Sequence, residues 1–293
     1  MKTISVVIIT YNEEKNIARC INAVKEIADE VVVLDSYSSD NTLKIAESLG
    51  AKTFKNPFAG YVAQKNKAIE LATHDYVLCL DADEELSEPL IESIKKVKQD
   101  LHFVAYSLSR CAFYRGAFIK HGTWYPERKI RLFNKRFLKW TGDYIHEQVV
   151  AKPGMAVYPL AGDILHYICE TKQQHIDRSN NFSTIAALSM FKKGKKASLF
   201  KMLASPFVFF LVDYFFRRGF LNGWRGWAIA TEQSRYHFLK YKKLRALYND
   251  KNIQKYKTVE NILNIKPSIS TRNLIHAANN RVQSNFKAPV INM

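Results

Sequence analysis

The run Tyr76-Val-Leu-Cys-Leu-Asp-Ala-Asp-Glu-Glu85 decides the fold: five apolar residues break abruptly into a string of acids. A short unbroken apolar run suits a strand buried on both faces, as in parallel sheets. Two earlier stretches end the same way. Ser5 to Ile9 runs into Thr10, Tyr11, Asn12 and Glu13, and Val31 to Leu34 runs into Asp35-Ser-Tyr-Ser-Ser-Asp40. Between them Ile17, Ile21, Val24 and Ala28 recur at helical spacing, and Leu43, Ala46 and Leu49 mark a second helix that Gly50 stops. Ala51 to Phe54 reads as a short strand, and Gly60 opens a helix reaching Ala72. Ser87 is the predicted N-cap of a helix over Leu90 to Val97, with Pro89 in its first turn. Strands alternating with helices imply a parallel sheet with right-handed crossovers, whose ligands bind beyond the carboxyl ends of the strands. Three polar clusters stand at those ends.

The remainder of the chain has a different texture. Phe103 to Ser109 and Lys129 to Phe133 read as strands, whereas Thr171 to Tyr248 is helical and rich in aromatic residues. The expected organisation is a mixed α/β domain over 1–170, with a ligand-binding half over 1–100 and a second half over 101–170. A basic aromatic helical region follows over 171–248, then a polar tail over 249–293 with the composition of a partly disordered segment. Charge divides along the same line. The first 100 residues hold 12 Lys and Arg against 17 Asp and Glu; the rest hold 32 against 10, within a net charge of +17 over 293 residues. A basic back half suits an anionic partner: a phosphorylated substrate, a phospholipid surface or nucleic acid. Nucleic acid is the reading from a different functional class. It is disfavoured because the chain shows no zinc-ligand spacing, helix-turn-helix cue or RNA-recognition aromatic signature. The four cysteines form no Cys-x-x-Cys pair and fit reduced thiols in a cytosolic protein.

Asp81-Ala-Asp83 at a strand end can share a hard divalent ion, because Mg²⁺ or Mn²⁺ takes oxygen ligands and bridges to phosphates. The plainer account is a charged loop capping the next helix. Asp35 can accept from a uracil or ribose donor, or simply form the turn after its strand. Lys65, taken alone, reads as a solvated helix face. Arg128 and Arg131, three apart in a strand, are expected on opposite faces, so that at most one enters a given pocket; the plain account is a sheet-edge charge.

Together Ser5-Val-Val-Ile-Ile-Thr-Tyr-Asn-Glu-Glu14, Val33-Leu-Asp-Ser-Tyr-Ser-Ser-Asp-Asn-Thr42, Gln64-Lys-Asn66 and Leu80-Asp-Ala-Asp-Glu84 resemble the family 2 glycosyltransferases of the GT-A fold. The resemblance implies a nucleotide-sugar donor, specifically a UDP-sugar, and transfer with inversion. It implies that Thr10, Tyr11, Asn12, Glu13 and Asp35 contact the nucleoside with Lys65 close by. Asp81 would lie near the ribose or metal, and Asp83 would hold Mg²⁺ or Mn²⁺ on the diphosphate. Glu127-Arg-Lys-Ile-Arg-Leu-Phe133, Gly142 with His146-Glu147, and Leu165-His-Tyr167 resemble the bacterial branch that adds glucose to the inner core of lipopolysaccharide or lipooligosaccharide. In that branch the His146-Glu147 pair would supply the base and His166 a further metal ligand.

Inverting transfer needs a carboxylate to take the acceptor's proton. Glu147 is the expected base and Asp143 the reserve, with Arg128, Arg131 and His146 toward acceptor or phosphate. The expected reaction moves glucose from UDP-glucose to a lipid-linked saccharide; other acceptors in the same class are a lipid phosphate, a capsular saccharide or a protein. No run of 18 apolar residues occurs, the longest uncharged stretch there being Met202 to Val212, which argues against a spanning helix. Phe207, Phe209, Phe210, Tyr214 to Phe216, Trp224 and Trp227 lie among Lys192, Lys193, Lys195, Lys196, Lys201, Arg217 and Arg218. That pattern predicts peripheral attachment to an anionic membrane surface, on the inner face of the cytoplasmic membrane.

Overall fold

The computed structural model describes residues 2–142 and 147–249. Asp143 and His146, and the polar tail from 250 onward, lie outside the described residues. The described chain separates into two compact units, one over residues up to 120 with 124–170, the other over 121–123 with the residues from 171 on.

The first unit is built on a nine-stranded mixed sheet flanked by helices, the architecture expected from the sequence. Its amino-terminal part alternates β1 (Ile4–Thr10), α1 (Ile17–Val24), β2 (Glu30–Asp35), α2 (Thr42–Ser48), β3 (Lys52–Lys55), α3 (Tyr61–Leu71) and β4 (Tyr76–Asp81). β5 (Glu84–Leu86), α4 (Glu88–Lys98), β6 (Ala105–Tyr114), β7 (Ala117–Phe118) and β8 (Glu127–Asn134) follow, with β11 (Val157–Cys169) last. β9 (Trp140–Thr141) and β10 (Gln148–Val149) form a separate antiparallel pair. Strand order is β3-β2-β1-β4-β8-β6-β11-β5, with β7 paired to β6. The first four strands are parallel, and β8 enters antiparallel between β4 and β6.

Alternate residues of the buried strands feed two cores. Val6, Ile8, Leu78 and Leu80 pack with Ile17, Ile21 and Val24 of α1 and Leu90 and Ile94 of α4. On the other face Val7, Val77 and Cys79 meet Ala68 and Ile69 of α3 together with Phe133 and Trp140. Burying a strand on both faces is what made its sequence continuously apolar.

Ser87 occupies the N-cap position of α4, yet its side chain makes no helix cap. Its hydroxyl instead accepts the Asp163 N–H at 2.9 Å and ties α4 to β11. There β11 is irregular between Pro159 and Asp163, and Gly162 has a φ of +89°, where a Cβ would stand 2.3 Å from the Leu90 nitrogen. Only glycine fits that approach.

The second unit holds α5 (Lys172–Lys192), α6 (Leu199–Leu211), a π-helical turn over Val212–Phe216, a 3₁₀ turn over Gly219–Asn222 and α7 (Trp224–Asn249). A capping box of Thr171 and Gln174 starts α5, and Ser198 caps α6 by accepting from the Lys201 N–H. Lys243 of α7 donates to the Asn180 carbonyl and the Ser183 and Thr184 hydroxyls of α5 at 2.7–2.8 Å. The expectation that no helix suits a membrane span is corrected here. Leu199–Phe216 runs 18 helical residues and is long and apolar enough to cross a membrane by length and composition. Its only charges, Lys201 and Asp213, interrupt the apolar text without breaking the helix.

Candidate functional site

All the expected site residues that the structure describes belong to the first unit. The loops after β1 and β2 are stitched together by side chains. Asn12 adopts a left-handed φ of 54°, accepts the Ser39 N–H on its side-chain oxygen at 2.8 Å and donates its own N–H to the Ser38 hydroxyl. Asparagine tolerates that conformation better than most residues. The Glu13 N–H donates to the Thr42 hydroxyl at 2.8 Å. Asp35, fully buried, accepts from both the N–H and the hydroxyl of Ser38, so it serves as a turn former whatever else it binds. Thr10 lies beside it across the β1–β2 ladder, and its buried hydroxyl has no hydrogen-bond partner among the described residues. Tyr11 is exposed.

Lys65 is not on a solvated helix face. Its side chain is 4% exposed, with Nζ 3.0 Å from Asp81 Oδ1 and 3.5 Å from Glu147 Oε1. The inward turn follows from α3's place over β4 and β9, which sets the ammonium 4.5 Å from the Trp140 ring. One cation thus joins two carboxylates more than 60 residues apart in sequence. Asn66 locks the same region by exchanging hydrogen bonds with the Trp140 backbone at 3.0 Å each way.

A buried ion network continues from Asp81. Glu84 is fully buried and accepts from Arg131 at 3.0 Å, from Arg110 at 3.3 Å and from the Asp81 N–H at 2.9 Å. Arg131 also stands 3.6 Å from Asp81, and Arg110 pairs with Glu127 at 2.6 Å. Burial opposes the charge on Asp81, but Lys65, then Arg131 and Arg110, hold its carboxyl well below the usual carboxylate range. Burial opposes Glu127 too, yet Arg110 and Lys129 bring it down to about 2. Asp81 and Glu127 therefore stay ionised at neutral pH.

The expected placement of Arg128 and Arg131 needs correction on two points. β8 is an interior strand only over Leu132 and Phe133, which pair with both β4 and β6. Arg128 stands where the strand pairs with β6 alone, whereas Arg131 is buried and is no sheet-edge charge. Between Tyr106↔Leu132 and Ser107↔Ile130 the register skips Arg131, a β-bulge. The extra residue resets the alternation. Ala105, Ser107 and Ser109 share one face, and their partners Phe133, Ile130 and Arg128 share it with them, as does Arg131 two residues before Phe133. Arg131 packs inward with its guanidinium 5.4 Å from the Trp140 ring, while Arg128 is exposed.

Arg128 lines a cleft of about 460 Å³ together with Glu127, Lys129, Trp140, Glu147 and Gln148. Glu147 thus contacts Lys65 on one side and this cleft on the other. Across the sheet, Asp83 Oδ2 lies 3.1 Å from His166 Nε2, the pairing of β11 with β5 setting His166 opposite Glu84. Tyr167 donates to Glu85, and Arg19 stacks on the Tyr167 ring 3.5 Å from its centroid. Among the described residues no three His, Cys, Asp or Glu side chains converge on one point as a complete metal cage. Mg²⁺ and Mn²⁺ do not need one, since they commonly take one or two carboxylates and complete their shell with phosphate oxygens and water. The Asp83 carboxylate fits as one such oxygen ligand, with the His166 nitrogen beside it as a further donor. All four cysteines are buried, and none forms a disulfide among the described residues.

The buried cation and the acids thus gather at the carboxyl ends of the parallel strands of a mixed sheet, where α/β proteins bind their ligands. The family model for glycosyl transferase family 2 matches residues 5–152. The chain is 38% identical over 259 residues to an uncharacterized glycosyltransferase of Rickettsia typhi, covering 84% of this chain and 88% of that one. It is 26% identical over 243 residues to the lipopolysaccharide core biosynthesis glycosyltransferase LpsC of Rhizobium meliloti, covering 80% and 89%. Among solved structures, glucosyl-3-phosphoglycerate synthase from Mycobacterium tuberculosis is 27% identical with a TM-score of 0.31, over 39% of this chain and 45% of that one. The chain belongs to glycosyl transferase family 2: it is a glycosyltransferase with a GT-A-type sheet.

Proposed function

We propose that the protein is an inverting, metal-dependent hexosyltransferase that moves glucose from UDP-glucose to a lipid-linked saccharide in lipopolysaccharide or lipooligosaccharide core synthesis. The observation that carries this reading is Lys65, buried and shared between Asp81 at the donor end and Glu147 on the cleft. The similarity to LpsC supports the core-saccharide acceptor. The enzyme works in the cytoplasm, at the inner face of the membrane that carries its acceptor.

In this reading Thr10, Tyr11, Asn12, Glu13 and Asp35 form the nucleoside site, on loops held ready by the Asn12–Ser38–Ser39 bonds. Asp83 and His166 would hold Mg²⁺ or Mn²⁺, which when bound would neutralise charge on the diphosphate. Asp81 orients Lys65 toward the donor. The acceptor enters the cleft beside Arg128, whose charge suits an acceptor phosphate. Glu147 takes the proton of the acceptor hydroxyl as that oxygen attacks the anomeric carbon. A new glycosidic bond forms on the opposite side from the breaking bond to the diphosphate, so configuration inverts and UDP leaves with the bonding pair.

The test is UDP release from a panel of UDP-sugars, with Mg²⁺, with Mn²⁺ and in EDTA. Metal-dependent release from UDP-glucose is expected, and Glu147→Gln should retain UDP binding while losing about 10²–10⁴ in transfer rate. Full activity in EDTA, or no release from any UDP-sugar, overturns the reading. If Asp143→Asn is inactive and Glu147→Gln is not, Asp143 is the base.

A further inference from the structure

The core of the second unit is built from α5 and α7, with Ile185, Leu188, Phe191, Ile229, Leu244 and Leu247 buried, and not from α6. Nothing in α6 is buried. Phe200, Leu203 and Phe207, spaced as one helical stripe, are 63–80% exposed, and Phe216 at the end of the π-helical turn is 81% exposed. Trp224 and Trp227 at the start of α7 are each more than half exposed. The opposite side of α6 is occupied: Phe209 stacks on His237 of α7 at 4.4 Å, and Ser205 shares a hydrogen bond with the same ring. An apolar stripe and an aromatic tip are therefore left outward by a hairpin that already has its partner helix. Such a surface on a soluble chain marks an interaction site.

Charge selects the occupant. Lys192, Lys193, Lys195 and Lys196 precede the hairpin, Lys201 lies in its first turn, and Arg217 and Arg218 sit exposed at its tip, with no exposed acid between Lys192 and Arg225. An apolar surface rimmed by cations fits an anionic lipid bilayer.

The hairpin's construction selects the mode of contact. Asp213 is buried and accepts from the Thr123 N–H, and a Cβ on Gly226 would stand 1.9 Å from the Gly219 carbonyl oxygen. The chain thus reverses tightly and α7 returns along α6. That return carries Glu232, Arg235 and Lys240, with Arg235 substantially exposed. Driving α6 across the bilayer would draw these charges into hydrocarbon, where ionised side chains are strongly disfavoured. Lying flat in one leaflet draws in none of them.

We propose that residues 199–227 form a monotopic hairpin. Phe200, Leu203, Phe207, Phe216, Trp224 and Trp227 insert into a single leaflet of an anionic membrane, and Leu199–Phe216 does not span it. This deepens the proposed lipid-linked acceptor by stating how the enzyme reaches the surface where that acceptor lies.

The experiment uses the full chain with phosphatidylglycerol–phosphatidylcholine vesicles, some brominated at shallow and some at deep acyl positions. Tryptophan fluorescence should be quenched chiefly by the shallow bromines, and the loss should disappear in W224F/W227F. Phe207→Asp with Phe216→Asp should lower vesicle affinity by on the order of tenfold or more per ring, with UDP release from soluble donor unchanged. An impermeant maleimide outside the vesicles should label both Lys196→Cys and Asn222→Cys. Protection of Asn222→Cys means a span and overturns the proposal. Binding lost entirely at high salt without quenching, or no binding and a dimer that buries these rings, also overturns it. UDP release is scored on the same samples, so failure of the hairpin and failure of the transferase reading are separate results.

Discussion

Replacing Glu84 by Gln tests the ion network that positions Asp81. Glu84 is isosteric with glutamine, so the substitution removes charge and one acceptor without changing volume. Its Oε1 accepts from Arg131 and Arg110, while Oε2 accepts the Asp81 N–H. A glutamine cannot serve both sides: its NH₂ must face either two guanidinium groups or a backbone N–H, donor against donor. Arg131, 2% exposed, then keeps only the more distant Asp81 at 3.6 Å as a counter-charge. Breaking a buried pair on one side costs about 3–5 kcal/mol. At about 2–4 °C per kcal/mol for a domain of this size, the first unit should melt roughly 6–20 °C lower. Scanning calorimetry at neutral pH measures this. Adding Arg131→Met should restore part of the loss, because it removes the uncompensated guanidinium. A Glu84→Gln protein that melts within about 2 °C of the parent, or a double variant whose losses simply add, refutes the reasoning.

Three further outcomes follow from the same geometry. Asp83→Asn should reduce UDP release to the level of the EDTA control while leaving the melting temperature near that of the parent, read by pairing the kinetic and calorimetric assays. Glu30, held by Lys52, Ser5 and Thr73 against an opposing burial effect, is brought from 4.5 to about 2, so its stabilisation is complete above pH 4.5 and is lost as pH falls toward 2. Glu30→Gln should flatten that acid limb in urea titrations, at a cost of at most about 3 kcal/mol at neutral pH. His237 is lowered from 6.5 to about 4, by burial first and Lys240 second, so α6–α7 packing is favoured above pH 6.5 and weakens as pH falls toward 4; near-ultraviolet circular dichroism should show this in the parent and not in His237→Phe.

The strands and their ends were legible because burial on both faces leaves an unmistakable apolar run, and β1, β2 and β4 lie close to where the text breaks into polar residues. Lys65 was misread for a definable reason. Helical periodicity reports which side of a helix is apolar, and α3 is nearly uniform, so its buried cation left no trace in the pattern. The Glu84–Arg110–Arg131 cluster was missed as well, although a signal existed: Arg131 interrupts an otherwise apolar stretch from Ile130 to Phe133, and a charge there needs a buried partner. The bulge had no such signal, since an extra residue in a strand is defined only by its neighbour's register. The exposed stripe of α6 was legible in composition alone; which rings face outward depends on α7, whose pairing the sequence does not state.

The bulge at Arg131 divides one strand into two segments under different constraints. Leu132 and Phe133 are locked between β4 and β6 and answer to the folding of the sheet. Glu127 to Ile130, beyond the skipped residue, border the cleft and pair with β6 alone. Substitutions in the outer segment can reshape the cleft without disturbing the inner ladder. With the acceptor in this cleft, as proposed above, a lineage could retune which acceptor it glycosylates by altering a few positions before Arg131 while inheriting the inner ladder intact.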